Sequence, residues 1–64
     1  MIIVNGHQHA YESIAVVELL ALLGVEPRGI AVARNGEIVR RSEWTSTLVV
    51  SGDHVEIVTA VAGG

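Results

Sequence analysis

Two glycines at the end of the sequence, Gly63 and Gly64, offer a backbone carboxylate rather than a side chain as the reactive group. They follow a long β-type run from Val55 to Val61, so we expect a rigid strand to carry them. Because glycine has no Cβ, such a tail can enter a narrow channel and bring its carboxylate close to a nucleotide phosphate. A carboxylate is a poor acyl donor, but adenylation by ATP would activate it, and a sulfur nucleophile could then displace AMP.

Other side chains of catalytic type are weaker candidates. His7 and His9 alternate on a predicted strand and share one face, a spacing that can bind zinc or copper. No thiolate or nearby carboxylate completes such a site, so we predict ordinary strand histidines and no metal. Ser51, Asp53 and His54 contain the residue types of a hydrolytic triad, but neighbouring positions on one turn cannot build its geometry. We expect Asp53 to cap that turn instead and the protein not to be an enzyme.

Composition narrows the class of protein further. The 64 residues carry four basic and seven acidic side chains, a formal charge of −3, and no cysteine. A nucleic-acid binder of this size is normally basic, and a bilayer span needs about 20 apolar residues, which the sequence lacks. We therefore expect a single domain over residues 1–64, located in the cytoplasm, that binds neither nucleic acid nor a membrane. All four basic residues are arginine, which codon bias explains and which would also prevent self-conjugation of an activated tail.

Two Asn-Gly pairs predict two tight β-hairpins. Asn5-Gly6 follows an apolar, β-branched start, and the return strand is predicted from His7 to Glu12. The second pair, Asn35-Gly36, lies between a predicted strand at 29–34 and a short one at 37–39. Type I′ turns need positive φ at both central residues, which asparagine and glycine tolerate.

A helix is predicted over residues 14–23, with Ser13 as its N-cap. Its apolar face repeats at helical spacing through Val16, Leu19, Leu20 and Leu23. Gly24 and Pro27 end it. The stretch at 40–47 has no clean period, and Trp44 is expected to cover an edge of the core.

One helix must then cover the whole sheet. A right-handed β–α–β crossover lets the final strand lie parallel beside the first. The order of elements therefore predicts an α+β roll, in which a mixed sheet of four to five strands packs on one helix. The other sheet face stays uncovered, and we expect it to present an apolar docking patch formed by Ile3, Val58 and Ala60.

Segments along the whole chain, in order, resemble the bacterial ThiS family of thiamine-biosynthesis sulfur carriers. They are Asn5-Gly6, Leu19-Leu20, Ala31-Val32, the run from Asn35 to Val39, Arg41, Glu43-Trp44, Gly52-Asp53, the run from Val55 to Val58, and Val61 to Gly64. One departure is Arg40, where the family usually has a proline.

The resemblance implies a ubiquitin-like β-grasp fold and a carrier rather than a catalyst. In that family a ThiF-type adenylyltransferase uses ATP to adenylate the C-terminal glycine, here Gly64, and the carrier itself binds no cofactor. Sulfur from a cysteine desulfurase then produces a thiocarboxylate, which thiazole synthase ThiG consumes. Val61, Ala62 and Gly63 would thread into the channel of the partner.

Two alternatives stay open. One is another β-grasp sulfur carrier, such as the small subunit of molybdopterin synthase or a tRNA-thiolation protein, with the same Gly-Gly end. The other is a ubiquitin-like binding module whose Gly-Gly end is never activated. The identity of the partner synthase would distinguish a thiamine sulfur carrier from the other sulfur carriers. Activation of the terminal carboxylate would distinguish a sulfur carrier from a binding module.

Overall fold

Short strands and an α-helix alternate along residues 1–59, the part of the chain that the computed structural model describes. The strands are β1 (Ile2–Val4), β2 (His7–His9), β3 (Ser13–Ala15), β4 (Ile30–Arg34), β5 (Glu37–Val39), β6 (Leu48–Val50) and β7 (His54–Thr59). Helix α1 spans Val16–Leu22, and a 3₁₀ helix spans Arg41–Glu43. The described residues exclude the predicted patch residue Ala60 and the predicted tail residues Val61, Ala62, Gly63 and Gly64.

The main sheet has the strand order β2-β1-β7-β4-β5 within the described residues. Strand β7 lies at its centre and pairs in parallel with β1, with Val4 opposite Val55. The remaining pairings are antiparallel. The predicted α+β roll, with a mixed sheet and the last strand parallel beside the first, is therefore confirmed.

Both Asn-Gly pairs form the predicted tight turns. The φ angles are +49° and +83° at Asn5 and Gly6, and +51° and +86° at Asn35 and Gly36. Positive φ at both central residues is the type I′ pattern, whose twist suits a two-residue hairpin. The return strand β2 is shorter than predicted, because the Tyr11 N–H donates to the carbonyl two residues back, at 2.9 Å, and turns the chain off the sheet.

The predicted start of the helix at Ser13–Ile14 was wrong. These residues belong to β3, which pairs antiparallel with β6 in a separate two-stranded sheet, with Ile14 opposite Val49. Strand β6 was not predicted at all. Both Ile14 and Val49 are buried β-branched residues, which pack well in a ladder. Ile14 is not part of the helical apolar face that begins at Val16, so the pattern does not require it to be helical.

Ser13 is consequently not the N-cap of the helix. The N-cap is Ala15, which provides no side-chain hydrogen bond. Instead, the N–H groups of Val16 and Val17 donate to the carbonyls of Thr47 (3.0 Å) and Trp44 (3.1 Å). The segment between the 3₁₀ helix and β6 thus satisfies donors that every helix N-terminus leaves unpaired.

The C-terminal end of α1 follows the prediction. Gly24 has φ +70°, and its N–H donates to the Ala21 carbonyl at 3.1 Å. The next N–H, from Val25, donates to the Leu20 carbonyl at 3.1 Å. These two bonds are the Schellman pattern, in which a left-handed glycine ends the helix.

The core lies between α1 and the main sheet. It is formed by Ile2, Val4, Ile14, Val16, Leu19, Leu20, Val32, Val39, Trp44, Val49 and Val55. Trp44 is 5% exposed and donates from Nε1 to the Val39 carbonyl at 3.0 Å. The Arg41 guanidinium lies 5.3 Å from the centre of that indole ring and donates to the Pro27 carbonyl, so a cation–π contact covers the tryptophan.

Across residues 1–59, no helix is long and apolar enough to cross a membrane.

Candidate functional site

Strand β7 is the element that leads toward the predicted reactive tail. It pairs with β4 without interruption from Val55, opposite Arg34, to Thr59, opposite Ile30. On its other side the β1 ladder ends early, at the pair Val4–Val55. The predicted rigid strand is present up to Thr59, the last described residue, while the rest of the predicted run to Val61 lies outside the described residues.

The Asn5 side chain continues the ladder after β1 has ended. The backbone N–H of Asn5 donates to the Val55 carbonyl at 2.9 Å, as a parallel strand residue should. Its side-chain Oδ1 then accepts the Ile57 N–H at 2.8 Å, and its Nδ2 donates to the Ile57 carbonyl at 3.1 Å. The turn removes the backbone groups that a longer β1 would have offered to Ile57, and the side-chain amide replaces them. We call this pair of bonds the Asn5 clamp.

Asn35 makes a similar arrangement at the other end of β7. Its backbone N–H donates to the His54 carbonyl at 2.7 Å, and its Oδ1 accepts the His54 N–H at 2.9 Å. Its Nδ2 donates to Oδ1 of Asp53 at 2.9 Å. We call the two side-chain bonds the Asn35 clamp. It differs from the Asn5 clamp in ending on a carboxylate instead of a backbone carbonyl.

Asp53 is 9% exposed and organises the entry to β7. Its Oδ2 accepts the Val50 N–H at 2.9 Å and lies 3.5 Å from the Arg34 guanidinium. The hydrogen bond from Val50 lowers the pKa of this carboxyl below its ordinary value of 3.8, and the hydrogen bond from Asn35 lowers it further. Burial opposes these two bonds, and the charge of Arg34 lowers the pKa by less than burial raises it. The predicted turn-capping role of Asp53 is confirmed.

The remaining polar candidates are not brought together. The Ser51 hydroxyl accepts a hydrogen bond from the amino group of Met1. The Asp53 carboxylate is directed to Val50, Asn35 and Arg34. On β2, the ring of His9 stacks on Tyr11 with 6.3 Å between centroids. Within residues 1–59, no group of three histidine, aspartate or glutamate side chains is placed to hold a metal ion.

The outer face of the sheet holds the two described residues of the predicted patch, but they are not adjacent. Ile3 is partly buried and lies beside His54. Val58 is 57% exposed and lies four residues further along β7, about 13 Å away, with Glu56 between them on the same face. The apolar neighbour of Val58 is Ala31 on β4, its register partner.

Ala33 and Ile38 extend this face, and neither was predicted to do so. Ala33 lies two residues beyond Ala31 on β4 and pairs with Ile38 on β5, which is 68% exposed. Side chains alternate between faces along a strand, so placing Val39 in the core would have predicted that Ile38 lies on the outer face. The two clamps were also missed, because an Asn-Gly pair indicates a turn and does not reveal which strand its side chain will meet.

Comparison with solved structures defines the class of protein. The crystal structure of a thiamine biosynthesis protein, ThiS, from Geobacter metallireducens superposes with a TM-score of 0.83, at 36% identity, covering 98% of this chain and 97% of that one. The protein has the ubiquitin-like β-grasp fold, as predicted. The model of the ThiS family matches residues 2–64. The chain belongs to the ThiS family, which confirms the resemblance noted in its sequence.

Curated relatives fall into two sizes. The sulfur carrier protein ThiS of Thermus thermophilus is 34% identical, and the match covers the whole of both chains. A thiazole synthase of Paramagnetospirillum magneticum is 41% identical over 64 residues, which is 98% of this chain. This chain spans about a fifth of the length of the thiazole synthases that it matches.

Proposed function

We propose that this protein is a sulfur carrier of thiamine biosynthesis and that the carboxylate of Gly64 is the group that carries sulfur. The observation that supports this most is the family match through residue 64, together with a relative named as a ThiS sulfur carrier that aligns over its full length. The position of β7 supports it as well, because this strand is central in the main sheet and pairs with β4 up to Thr59. In this role the protein is a co-substrate in the cytoplasm and not a catalyst.

The proposed chemistry takes place on partner enzymes. A ThiF-type adenylyltransferase binds ATP, and an oxygen of the Gly64 carboxylate attacks the α-phosphorus, which releases pyrophosphate and leaves an acyl-adenylate. A persulfide derived from a cysteine desulfurase attacks the acyl carbon and displaces AMP. A thiol then attacks the cysteine sulfur of the resulting acyl disulfide, which forms a new disulfide and releases the thiocarboxylate as the leaving group. This chain has no cysteine, so the persulfide and the thiol belong to the partners.

Thiazole synthase is the proposed acceptor of the sulfur. Two proteins named thiazole synthase contain a segment similar to this chain within a much longer polypeptide. Two modules in one polypeptide meet at high effective concentration, an arrangement that suits partners that act together. The distinction from a molybdopterin or tRNA-thiolation carrier is tested by offering the thiocarboxylate form to each class of synthase. Sulfur transfer to thiazole synthase alone is expected.

We propose Gly64 as the activated residue, preceded by Val61, Ala62 and Gly63 in the channel of the enzyme. Deleting Gly64 moves the carboxylate back by one residue, about 3.5 Å, whereas reacting atoms must approach within about 3–3.5 Å. ATP–pyrophosphate exchange with the ThiF-type enzyme should therefore be almost abolished. Folding stability should stay within about 0.5 kcal/mol, as for changes away from packed features. Wild-type exchange by the deletion variant would show that the carboxylate is not activated and would favour a binding module.

The outer face that holds Val58 and Ile3 is the proposed docking surface for both enzymes, and the third predicted patch residue, Ala60, lies outside the described residues. Val58→Arg should weaken binding to the ThiF-type enzyme, because the new charge must be desolvated at the interface. Leu22→Arg is the matched control, since Leu22 is similarly exposed at 63% but lies on α1, which covers the opposite face of the sheet. Equal affinities for the two variants, with unchanged circular dichroism, would remove Val58 from the docking surface.

A further inference from the structure

We propose that Asn5 is a positioning residue for the reaction of the C-terminal tail. Its side-chain amide fixes the exit direction of β7 and so helps to present the tail to the activating enzyme. This inference rests on the proposed function, because the tail matters only if Gly64 is adenylated. It is carried by two hydrogen bonds, from the Ile57 N–H to Oδ1 at 2.8 Å and from Nδ2 to the Ile57 carbonyl at 3.1 Å.

The Asn5 clamp contacts β7 beyond the point where its pairing with β1 has ended. Backbone pairing with β1 ends at Val55, so from residue 56 to Thr59, the last described residue, β4 alone pairs the strand through its backbone. A strand held along one edge can swing about that edge. The clamp holds the other edge of β7 at Ile57, two residues before Thr59.

Both polar backbone groups of Ile57 are engaged by one side chain. A parallel ladder that continued past Val4 would bond the Ile57 N–H to the carbonyl of residue 5 and the Ile57 carbonyl to the N–H of residue 7. Because the chain reverses at Asn5-Gly6, those backbone groups are turned away. Oδ1 and Nδ2 of Asn5 supply an acceptor and a donor in their place, as an amide can.

The type I′ turn is what makes this possible with so short a side chain. Asn5 has φ +49°, a conformation that asparagine adopts more readily than most residues. Asn5 therefore serves both as the first turn residue and as the substitute for the missing length of β1. A glycine would keep the turn and remove the clamp, which gives a clean variant.

The test compares Asn5→Gly with Asn35→Gly. The second variant has the same change, in the same type of turn, and loses bonds to Asp53 and His54 at the opposite end of β7. Steady-state adenylation by the ThiF-type enzyme would be measured against carrier concentration, under conditions where circular dichroism shows both variants folded. We expect Asn5→Gly to lower kcat/KM by about three- to tenfold, the factor that a hydrogen bond is typically worth. This loss should come through KM, with kcat within about twofold of wild type, because the enzyme channel holds the tail once it is bound.

Amide hydrogen exchange provides a readout that does not depend on any enzyme. The Ile57 N–H should exchange faster in Asn5→Gly and stay protected in Asn35→Gly. Asn5→Asp keeps an oxygen for the Ile57 N–H but loses the donor, so its kcat/KM should fall between wild type and Asn5→Gly. This third variant also keeps the test decisive if Asn5→Gly does not fold.

The outcomes separate the inference from the proposed function. If wild-type protein is adenylated and the Asn5 and Asn35 variants give the same kcat/KM, Asn5 has only a structural role and the inference is overturned. An unprotected Ile57 N–H in the wild type would overturn it as well. If wild-type protein is not adenylated at all, the proposed function itself fails, and the inference fails with it.

Discussion

The two Asn-Gly turns of this protein have the same sequence, the same backbone conformation and different physical chemistry. Each places an asparagine side chain against β7, one at Ile57 and the other at His54. The Asn5 clamp uses only backbone groups of its partner, whereas the Asn35 clamp includes the Asp53 carboxylate. The same turn motif can therefore hold a strand through neutral hydrogen bonds alone or through a network that includes a charged group.

Replacing Asp53 with alanine removes the carboxylate of the Asn35 clamp and should have the largest effect on the free energy of unfolding. The Val50 N–H and the Asn35 Nδ2 would each lose their acceptor in a partly buried position. We expect a loss of about 2–3 kcal/mol in the free energy of unfolding, measured by urea denaturation. Asp53→Asn is the control, since it keeps the shape and one acceptor oxygen and should be milder. A loss below about 0.5 kcal/mol for Asp53→Ala would mean that these bonds contribute little.

Asn35→Gly and Asn5→Gly compare the two clamps directly. We expect about 1.5–2 kcal/mol of destabilisation for the first and about 1 kcal/mol for the second, because a hydrogen bond to a charged acceptor is stronger than one to a carbonyl. The gain in unfolded-chain entropy from the new glycine is the same in both and cancels in the difference. Thermal and urea unfolding would measure it. The reverse order would show that the carboxylate adds nothing at Asn35.

The destabilisation caused by the same two variants should depend differently on pH. The folded-state pKa of Asp53 lies below its ordinary value of 3.8, so the carboxylate stabilises the fold fully above that value and progressively less as pH falls below it. The destabilisation by Asn35→Gly should therefore shrink by about 0.5–1 kcal/mol between neutral pH and pH values below the folded-state pKa. The effect of Asn5→Gly should not change. Parallel curves for both variants would contradict a charge-dependent Asn35 clamp.

Arg34→Met should have the smallest effect. The guanidinium is 3.5 Å from Asp53, but its side chain is 37% exposed, and it also donates to the Leu48 carbonyl at 3.2 Å. Partly exposed ion pairs are screened by water, so we expect at most about 0.5 kcal/mol, and less at high salt. Methionine keeps an apolar stem of similar length. A salt-independent loss above about 1 kcal/mol would place Arg34 among the main supports of the Asp53 network.

Local patterns predicted the parts of the fold that local physics determines. Both turns, the Schellman end of α1 at Gly24 and the parallel position of the last strand follow from chirality, positive φ and crossover handedness. Strands β3 and β6 were missed, because three-residue strands carry almost no period. The apolar repeat of the helix begins at Val16, and the pairing of Ile14 with Val49 is what reveals the strand before it.

The candidate site was predictable to a different degree. The exposure of Val58 could be inferred from the alternation along β7. The reactivity of the tail stays a prediction. The clamps could not, because they join residues 52 and 19 positions apart through side-chain amides. A turn motif contains no information on which backbone groups its asparagine will meet.

The central place of β7 has a consequence for the kinetics of folding. This last of the described strands pairs in the middle of the main sheet, and its contacts with Asn5 span 52 positions. Because the entropy of closing so long a loop must be lost before those contacts form, the chain should fold more slowly than a helical bundle of the same size. During synthesis, β1 and β4 cannot complete the sheet until β7 has left the ribosome. The two hairpins, β1–β2 and β4–β5, are therefore joined into one sheet only when β7 pairs between them.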